Sequence, residues 1–418
     1  LSEFIARQDI PSLRQVGLRQ GCSIWSDHVD LESRTHLAEV SGELSALVKL
    51  DNAKAYDSVE HSILISRLVD CDVRHYIISW VQKFLFERQF FCCHEGITSA
   101  SYKQTRGVPQ GSVLSPLLFK ILSSIPIHKN VSLYVYADDI AFFSSSRDLN
   151  SIYQILQSYL SELEVWLGGL SFSLNVSKCA LLVFPLSVPV FLSLHYQNDP
   201  IPQVTALKYL GIVYVDNLNW QQQIESNTRK AESAVGLLRR FCNRKSGMRR
   251  DTLLMIYKLY VRPILEFGCV LFSGSAEYKL RPLILLERQA LRLCLGLPRC
   301  VANSVLYLEA RIIPLDARFR QLTVQTFLKL YDAPFFWSQT VFIKHPVSFF
   351  QRPWFRYQRP QVIFVESLLS NLHVSLRHLT PQPMLGASLL NFDHIFPKNA
   401  KFLPKHVLED LLQDHLSH

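Results

Sequence analysis

Residues 134–143 read YVYADDIAFF, an apolar, aromatic and β-branched run with two adjacent aspartates, Asp138 and Asp139, in its middle. Apolar runs of this kind form buried strands. Ala-Asp-Asp between two such runs predicts a tight hairpin turn. Two carboxylates at a turn flanked by buried strands repel each other and are costly to desolvate unless something positive satisfies them. A turn open to water would leave the same four letters, so the pair alone does not decide between a solvated turn and a cation site. A second stretch narrows the choice. LSALVKL (44–50) is another strand-like run and ends at Asp51. If the two strands lie side by side, Asp51 and Asp138 face each other. Mg²⁺ is usually held by one or two carboxylates together with substrate phosphates. Paired acids are what two-metal phosphoryl transfer requires, with ions roughly 3.5–4 Å apart.

The rest of the first half fits around these strands. Ile63, Leu64, Leu68, Ile77, Trp80, Val81 and Phe84 give residues 58–90 a helical spacing, and VLSPLLFKILSSI (113–125) reads as a buried helix. Leu149, Ile152, Tyr153, Leu156, Leu160, Leu163 and Leu167 predict an amphipathic helix ended by Gly168-Gly169. Strand-like runs follow at 171–184 and 207–215. Ile224, Thr228, Ala231, Val235, Leu238 and Cys242 predict a further helix, and residues 252–272 and 280–297 read as helical. A mixed α+β first half thus gives way to a helical second half, with the boundary near residue 216. Past residue 334 the chain is aromatic and proline-rich, and no fold is assigned to it.

Composition bears on partner and compartment. Lys and Arg outnumber Asp and Glu, 44 to 35, a surplus that suits an anionic partner such as nucleic acid. Nine scattered cysteines without a CxxC pair argue against a disulfide framework or a zinc module and for a reducing intracellular compartment, nucleus or cytoplasm. The most apolar run, 180–194, is short for a membrane span and contains Pro185 and Pro189, so no membrane is expected. Eight Lys or Arg against one Glu in residues 228–250 predict a basic helix face formed by Arg229, Lys230, Arg240 and Arg244, either simply solvated or in contact with phosphates.

Between the two aspartate strands lies KQTRGVPQGSVLSPLLF (103–119), whose Gly107, Pro109 and Gly111 leave a backbone with little side-chain bulk. Taken in order, Asp51 to Tyr56, RGVPQGSVLSP, YADD, GGLSFSLNVSKCALLVF and ALKYLGIVYVDNLNW resemble the palm of a reverse transcriptase of the non-LTR (LINE-like, jockey-type) retrotransposons. VGLRQG near residue 19 resembles a fingers element, with Leu18 in place of Phe. The resemblance covers roughly residues 10 to 330. It implies a right-hand polymerase palm with partial fingers over 1–215, a helical thumb or connection over 216–334 and a C-terminal region over 335–418.

By position, the resemblance makes Asp51, Asp138 and Asp139 the ligands of two Mg²⁺ ions, or Mn²⁺ in their place, with Asp139 the weaker. Tyr56 falls where the family places a steric gate against a ribose 2′-hydroxyl, which favours DNA over RNA synthesis. Gln110 and Gly111 would meet the incoming nucleotide. Lys178 would protonate the leaving pyrophosphate, or is a surface lysine after a strand. Arg229, Lys230, Arg240 and Arg244 would track the template–primer backbone. Asp57 reads as a structural helix-start carboxylate, Glu60 and His61 as helix surface, and Arg106 as phosphate-reaching or solvated. The implied partners are an RNA template, a DNA primer and deoxynucleoside triphosphates. Upstream fingers, an endonuclease and an RNase H are not recognisable, so a fragment is expected. The alternative to a polymerase is a non-catalytic nucleic-acid-binding remnant.

Overall fold

The computed structural model describes residues 16–17, 23–86, 88–122, 125–184, 190–242, 247–331, 365 and 367–368. Arg244, residues 18–21 of the VGLRQG element and nearly all of 335–418 lie outside them. The chain divides into two compact units. The first takes residues up to Asp27 together with Ser41–Leu210, and the second takes His28–Val40 together with the residues from Gly211 onward. The division thus falls after Leu210, a few residues before the expected boundary. Helix α1 (Ile24–Val40) contributes most of its length to the second unit.

The first unit is built on five strands: β1 (Leu44–Asp51), β2 (Ser132–Tyr136), β3 (Asp139–Ser146), β4 (Ala180–Phe184) and β5 (Gln203–Val204). Their order across the sheet is β5-β4-β1-β3-β2, so the aspartate-tipped β1 is central. It pairs antiparallel with both β3 and β4. Alternation along the strands separates two faces. Ala46, Val48 and Leu50 of β1 share one face with Leu133, Val135, Ile140, Phe142, Leu181 and Val183. These side chains form one core with α2 (His61–Asp70), α3 (His75–Leu85), α4 (Leu114–Leu122) and α5 (Leu149–Gly169).

Each helix owes its place to an apolar stripe. In α5, Ile152, Leu156, Tyr159, Leu160, Leu163 and Leu167 are buried. Burying each large apolar side chain stabilises the fold by roughly 1.5–3 kcal/mol. The helix starts where the Asp148 carboxylate accepts the Ser151 N–H at 2.8 Å. The Ser151 hydrogen bonds hold that carboxyl below the ordinary aspartate range. The glycine pair lies inside its last turn, and the left-handed residue beyond the end is Ser171, at φ 58°.

Residues 58–90 are not one helix. Asp72, at φ 55°, separates α2 from α3, and residues 89–90 already pair with Tyr102–Lys103 in a short exposed arm. Trp80, counted in the apolar spacing, is 56% exposed and stacks on Phe84, with ring centroids 5.7 Å apart.

The second unit is helical. α6 (Gln221–Phe241) packs along α7 (Glu277–Leu295), and α8 (Asn303–Ala310) and α9 (Leu315–Tyr331) complete it. The stretch read as one helix over 252–272 is interrupted: a π-helical segment spans Tyr257–Val261, and Gly268, at φ 81°, breaks the chain before Cys269–Phe272. Glu287 of α7 is fully buried. It accepts hydrogen bonds from the hydroxyls of Tyr257 (3.2 Å) and Tyr307 (2.8 Å) and from the Leu315 N–H (2.9 Å). One side chain therefore ties four elements together, and burial pushes its carboxyl pKa up. Among the described residues no helix is long and apolar enough to cross a membrane.

Candidate active site

The β2–β3 hairpin turns over two residues, Ala137 and Asp138, and Tyr136 pairs with Asp139. Across the sheet, Asp139 is the register partner of Asp51. The sequence reading had Asp51 facing Asp138. The two-residue turn keeps Asp138 at the tip, so the first residue to rejoin the ladder is Asp139, and it is Asp139 that stands opposite Asp51. Paired residues in an antiparallel ladder project to the same face. Tyr136, Asp139 and Asp51 therefore form a row, with Lys49 two residues back along β1 on that face. Ala137 has φ 55°. A positive φ at the first turn residue is the II′ pattern that usually takes glycine, and an L-residue there costs roughly 1 kcal/mol or more. The turn is backed by residues 16–17. The Val16 N–H donates to the Val135 carbonyl at 2.9 Å, and a Cβ on Gly17 would stand 2.5 Å from the Ala137 nitrogen.

The row concentrates negative charge around Asp139. The half-buried Asp139 carboxyl is pushed above the ordinary range, first by burial. Lys49 draws it down, and the charges of Asp138 and Asp51 raise it further. Among the described residues no group of three His, Cys, Asp or Glu side chains could by itself hold a metal ion. A hard divalent ion that takes its remaining oxygens from a substrate and water does not need one. Asp51 and Asp139, paired across the ladder, with Asp138 in the adjoining turn, supply hard carboxylate oxygens of the kind such an ion takes.

The backbone around Asp51 is fixed by residues 173–179. The Asn175 N–H donates to the Asp51 carbonyl at 2.8 Å, the Ala53 N–H to the Ser173 carbonyl at 2.9 Å, and the Asp51 N–H meets the Cys179 sulfur at 3.4 Å. The Asn52 amide reaches the Asp138 carbonyl at 3.4 Å. Lys178 ends a 3₁₀ turn, Val176–Lys178, one residue before that cysteine. Its side chain is exposed and makes no ion pair among the described residues.

The loop 106–111 is bound to the segment that follows Asp51. The Gly107 N–H donates to the Val59 carbonyl and the Val108 N–H to the Tyr56 carbonyl, both at 2.8 Å. The Gln110 amide donates to the Asp57 carboxylate at 3.1 Å, which gives Asp57 a partner across the loop. Arg106 pairs with Glu60 at 2.8 Å, so its guanidinium is engaged rather than simply solvated. His61, expected at the surface, is only 4% exposed, and its Nε2 bonds the Gly107 carbonyl at 2.8 Å. Gly107 has φ 86°, and a Cβ there would lie 2.9 Å from the Asp57 Cα. Gly111, at φ 88°, is exposed with open space around it. The Tyr56 ring stacks on Phe119 of α4, centroids 4.7 Å apart. Burial, and then the charge of Asp138, raise its phenol pKa.

In the second unit, Arg229, Lys230 and Arg240 are exposed on α6, away from the buried stripe of Ile224, Asn227, Ala231, Ala234, Val235 and Leu238. Arg229 and Arg240 are about three turns apart on one line, and Lys230 lies roughly 100° round from Arg229.

Sequence reasoning missed Lys49, Asn52, Cys179, Gly17 and His61. Strand alternation counted back from Asp51 would have found Lys49. The others meet partners far away in sequence, so even where a quoted motif contains them, as with Gly17, Asn52 and Cys179, it does not show what they hold.

Residues 4–214, half of the chain, match the family model described as reverse transcriptase (RNA-dependent DNA polymerase). The chain belongs to this family. Its fold is accordingly the palm-and-fingers arrangement of a reverse transcriptase with a helical region. Among curated relatives, it is 26% identical to the probable RNA-directed DNA polymerase from transposon BS of Drosophila melanogaster, over 77% of this chain and 37% of the relative. It is 27% identical to the RNA-directed DNA polymerase from mobile element jockey of the same organism, over 60% and 28%. This reverse transcriptase chain thus spans about a third of the length of the curated relatives it matches. Solved structures similar to it include telomerase of Candida tropicalis in complex with the TWJ fragment of telomeric RNA (TM-score 0.44, 11% identity, 99% of this chain and 56% of that one). Another is telomerase of Candida albicans with a TWJ fragment (TM-score 0.39, 14% identity, 81% and 51%).

Proposed function

We propose that the chain is the polymerising part of a non-LTR retrotransposon reverse transcriptase, adding deoxynucleotides to a primer 3′-hydroxyl opposite an RNA template. The observation that carries the reading is the pairing of Asp51 with Asp139 beside the Asp138 turn. The primer oxygen attacks the α-phosphorus and the bond to the bridging oxygen of pyrophosphate breaks. The hydroxyl proton passes to water, and the leaving pyrophosphate takes one from Lys178, which regains it from solvent, in this reading. Asp51, Asp138 and Asp139 would hold two Mg²⁺ or Mn²⁺ ions. When bound, such ions lower the pKa of the attacking hydroxyl and stabilise the charge on the leaving oxygen.

Tyr56 closes the space a 2′-hydroxyl would need, while Gln110 and Gly111 lie on the loop that would meet the nucleotide. Gly111 suits a close approach because no side chain projects from it. Arg229, Lys230 and Arg240, with Arg244 in the adjoining segment, would contact phosphates without reading sequence. Labelled dNTP incorporation on a primed RNA template tests the proposal. The reading expects only the complementary nucleotide to be added. It expects Asp51→Asn combined with Asp138→Asn to abolish addition while duplex binding survives. Binding without any addition by the wild-type chain would instead support a non-catalytic nucleic-acid-binding protein.

A further inference from the structure

We infer that His61 is a positioning residue for sugar selection: it holds the Gly107 loop, which in turn fixes Tyr56. The inference deepens the polymerase reading and rests on it. His61 opens α2, and its buried ring stands edge-on to Phe86, with centroids 5.4 Å apart. Its Nε2 lies 2.8 Å from the Gly107 carbonyl oxygen. A carbonyl only accepts, so Nε2 carries the proton in this bond.

The residue it holds cannot drift freely. The Gly107 N–H is bound to the Val59 carbonyl, and its Cα presses on the Asp57 backbone so closely that a Cβ would stand 2.9 Å away. The next amide, Val108 N–H, donates to the Tyr56 carbonyl at 2.8 Å. Two hydrogen bonds and one residue of chain therefore connect the imidazole to the backbone of Tyr56. On its other side Tyr56 leans on Phe119, on the helix that the same loop leads into. Removing the imidazole donor leaves a buried carbonyl to find a new partner, which costs about 1–3 kcal/mol. The loop can recover that by shifting, and the Tyr56 carbonyl shifts with it. A gate that rejects one hydroxyl by contact is more sensitive to such a shift than the carboxylate row, which the β1–β3 ladder and residues 173–179 hold separately.

The test compares His61→Phe, which keeps a buried ring without a donor, with His61→Gln, whose amide can reach the same carbonyl. Incorporation of dTTP and ribothymidine triphosphate on poly(rA)/oligo(dT) gives the sugar preference. Amide hydrogen exchange at Gly107 and Val108 reads the loop directly, and Tyr56→Ala sets the scale for a lost gate. His61→Phe is expected to lower the deoxy-to-ribo ratio about tenfold, mainly by lowering KM for the ribotriphosphate, the low end of what a single pocket contact discriminates. It is also expected to speed exchange at both amides. His61→Gln should restore most of each. Should His61→Phe not fold, His61→Asn, whose shorter amide cannot reach, takes its place with the same expectations. An unchanged sugar ratio with faster exchange would overturn the inference by making His61 merely structural, and unchanged exchange would overturn the clamp itself. A wild-type chain that incorporates neither triphosphate would overturn the polymerase reading and the selection role with it. That result differs from an active chain whose ratio does not move.

Discussion

Asp139 bears the electrostatic strain of the site. Its carboxyl sits above the ordinary range because it is partly buried and stands beside Asp138 and Asp51. A carboxyl with a raised folded-state pKa binds its proton more tightly folded than unfolded. In the absence of divalent ions, lowering the pH through that raised pKa therefore stabilises the chain, and raising it removes the gain. Asp139→Asn, which is uncharged throughout, should raise Tm by a few degrees above that pKa and flatten the pH dependence, as scanning calorimetry without metal can show. A variant less stable than wild type would mean that Asp139 is satisfied by the protein alone. The acids themselves were legible in the sequence because a second apolar run ends at Asp51, whereas the Ala-Asp-Asp letters alone suit a solvated turn equally well. Which two stand opposite each other was not, because a hairpin's register depends on whether the turn takes two residues or more.

Single elements show where local reading works and where it stops. The strands at 44–51 and 132–146 and the helix at 149–169 follow from period and apolarity. The break between α2 and α3 does not, because it rests on Asp72 adopting a left-handed conformation between two apolar-periodic segments. His61 looked like surface because a polar residue at a helix start usually is, and its partner lies 46 residues away. The loop 106–111 depends on Gly107 twice, through its φ of 86° and through its contact with Asp57. Gly107→Ala should therefore destabilise the chain by about 2 kcal/mol or more, measured as a lower urea midpoint. A midpoint unchanged within error would show that the loop relaxes freely. On α6, the exposed Arg229 and Arg240 lie on one line about 16 Å apart, a spacing that suits two separate phosphates of a bound duplex. Arg229→Ala with Arg240→Ala should weaken primer–template binding equally across sequences and reduce the slope of log K against log salt by about two. An unchanged slope would make the basic face a solvated one.

At the scale of the molecule, the sequence separates a mixed sheet-and-helix half from a helical half, while the chain divides into two units whose membership does not follow chain order. What stayed hidden is that residues 28–40 belong with the later one, since a helix's neighbours are not written in its own periodicity. Nor did the sequence mark Glu287, whose burial among two tyrosine hydroxyls and a backbone N–H gathers partners from across the second unit. Family membership rests on residues 4–214 and the site geometry falls within them, so the account stands or falls on what those carboxylates do. The most direct test is primer extension on poly(rA)/oligo(dT) with dTTP and Mg²⁺, wild type beside Asp138→Asn. The account predicts extension by the wild type and its loss in the variant, by a factor of about 10³ or more if charge stabilisation at the reacting phosphate is its main contribution. Equal extension by both chains would contradict it.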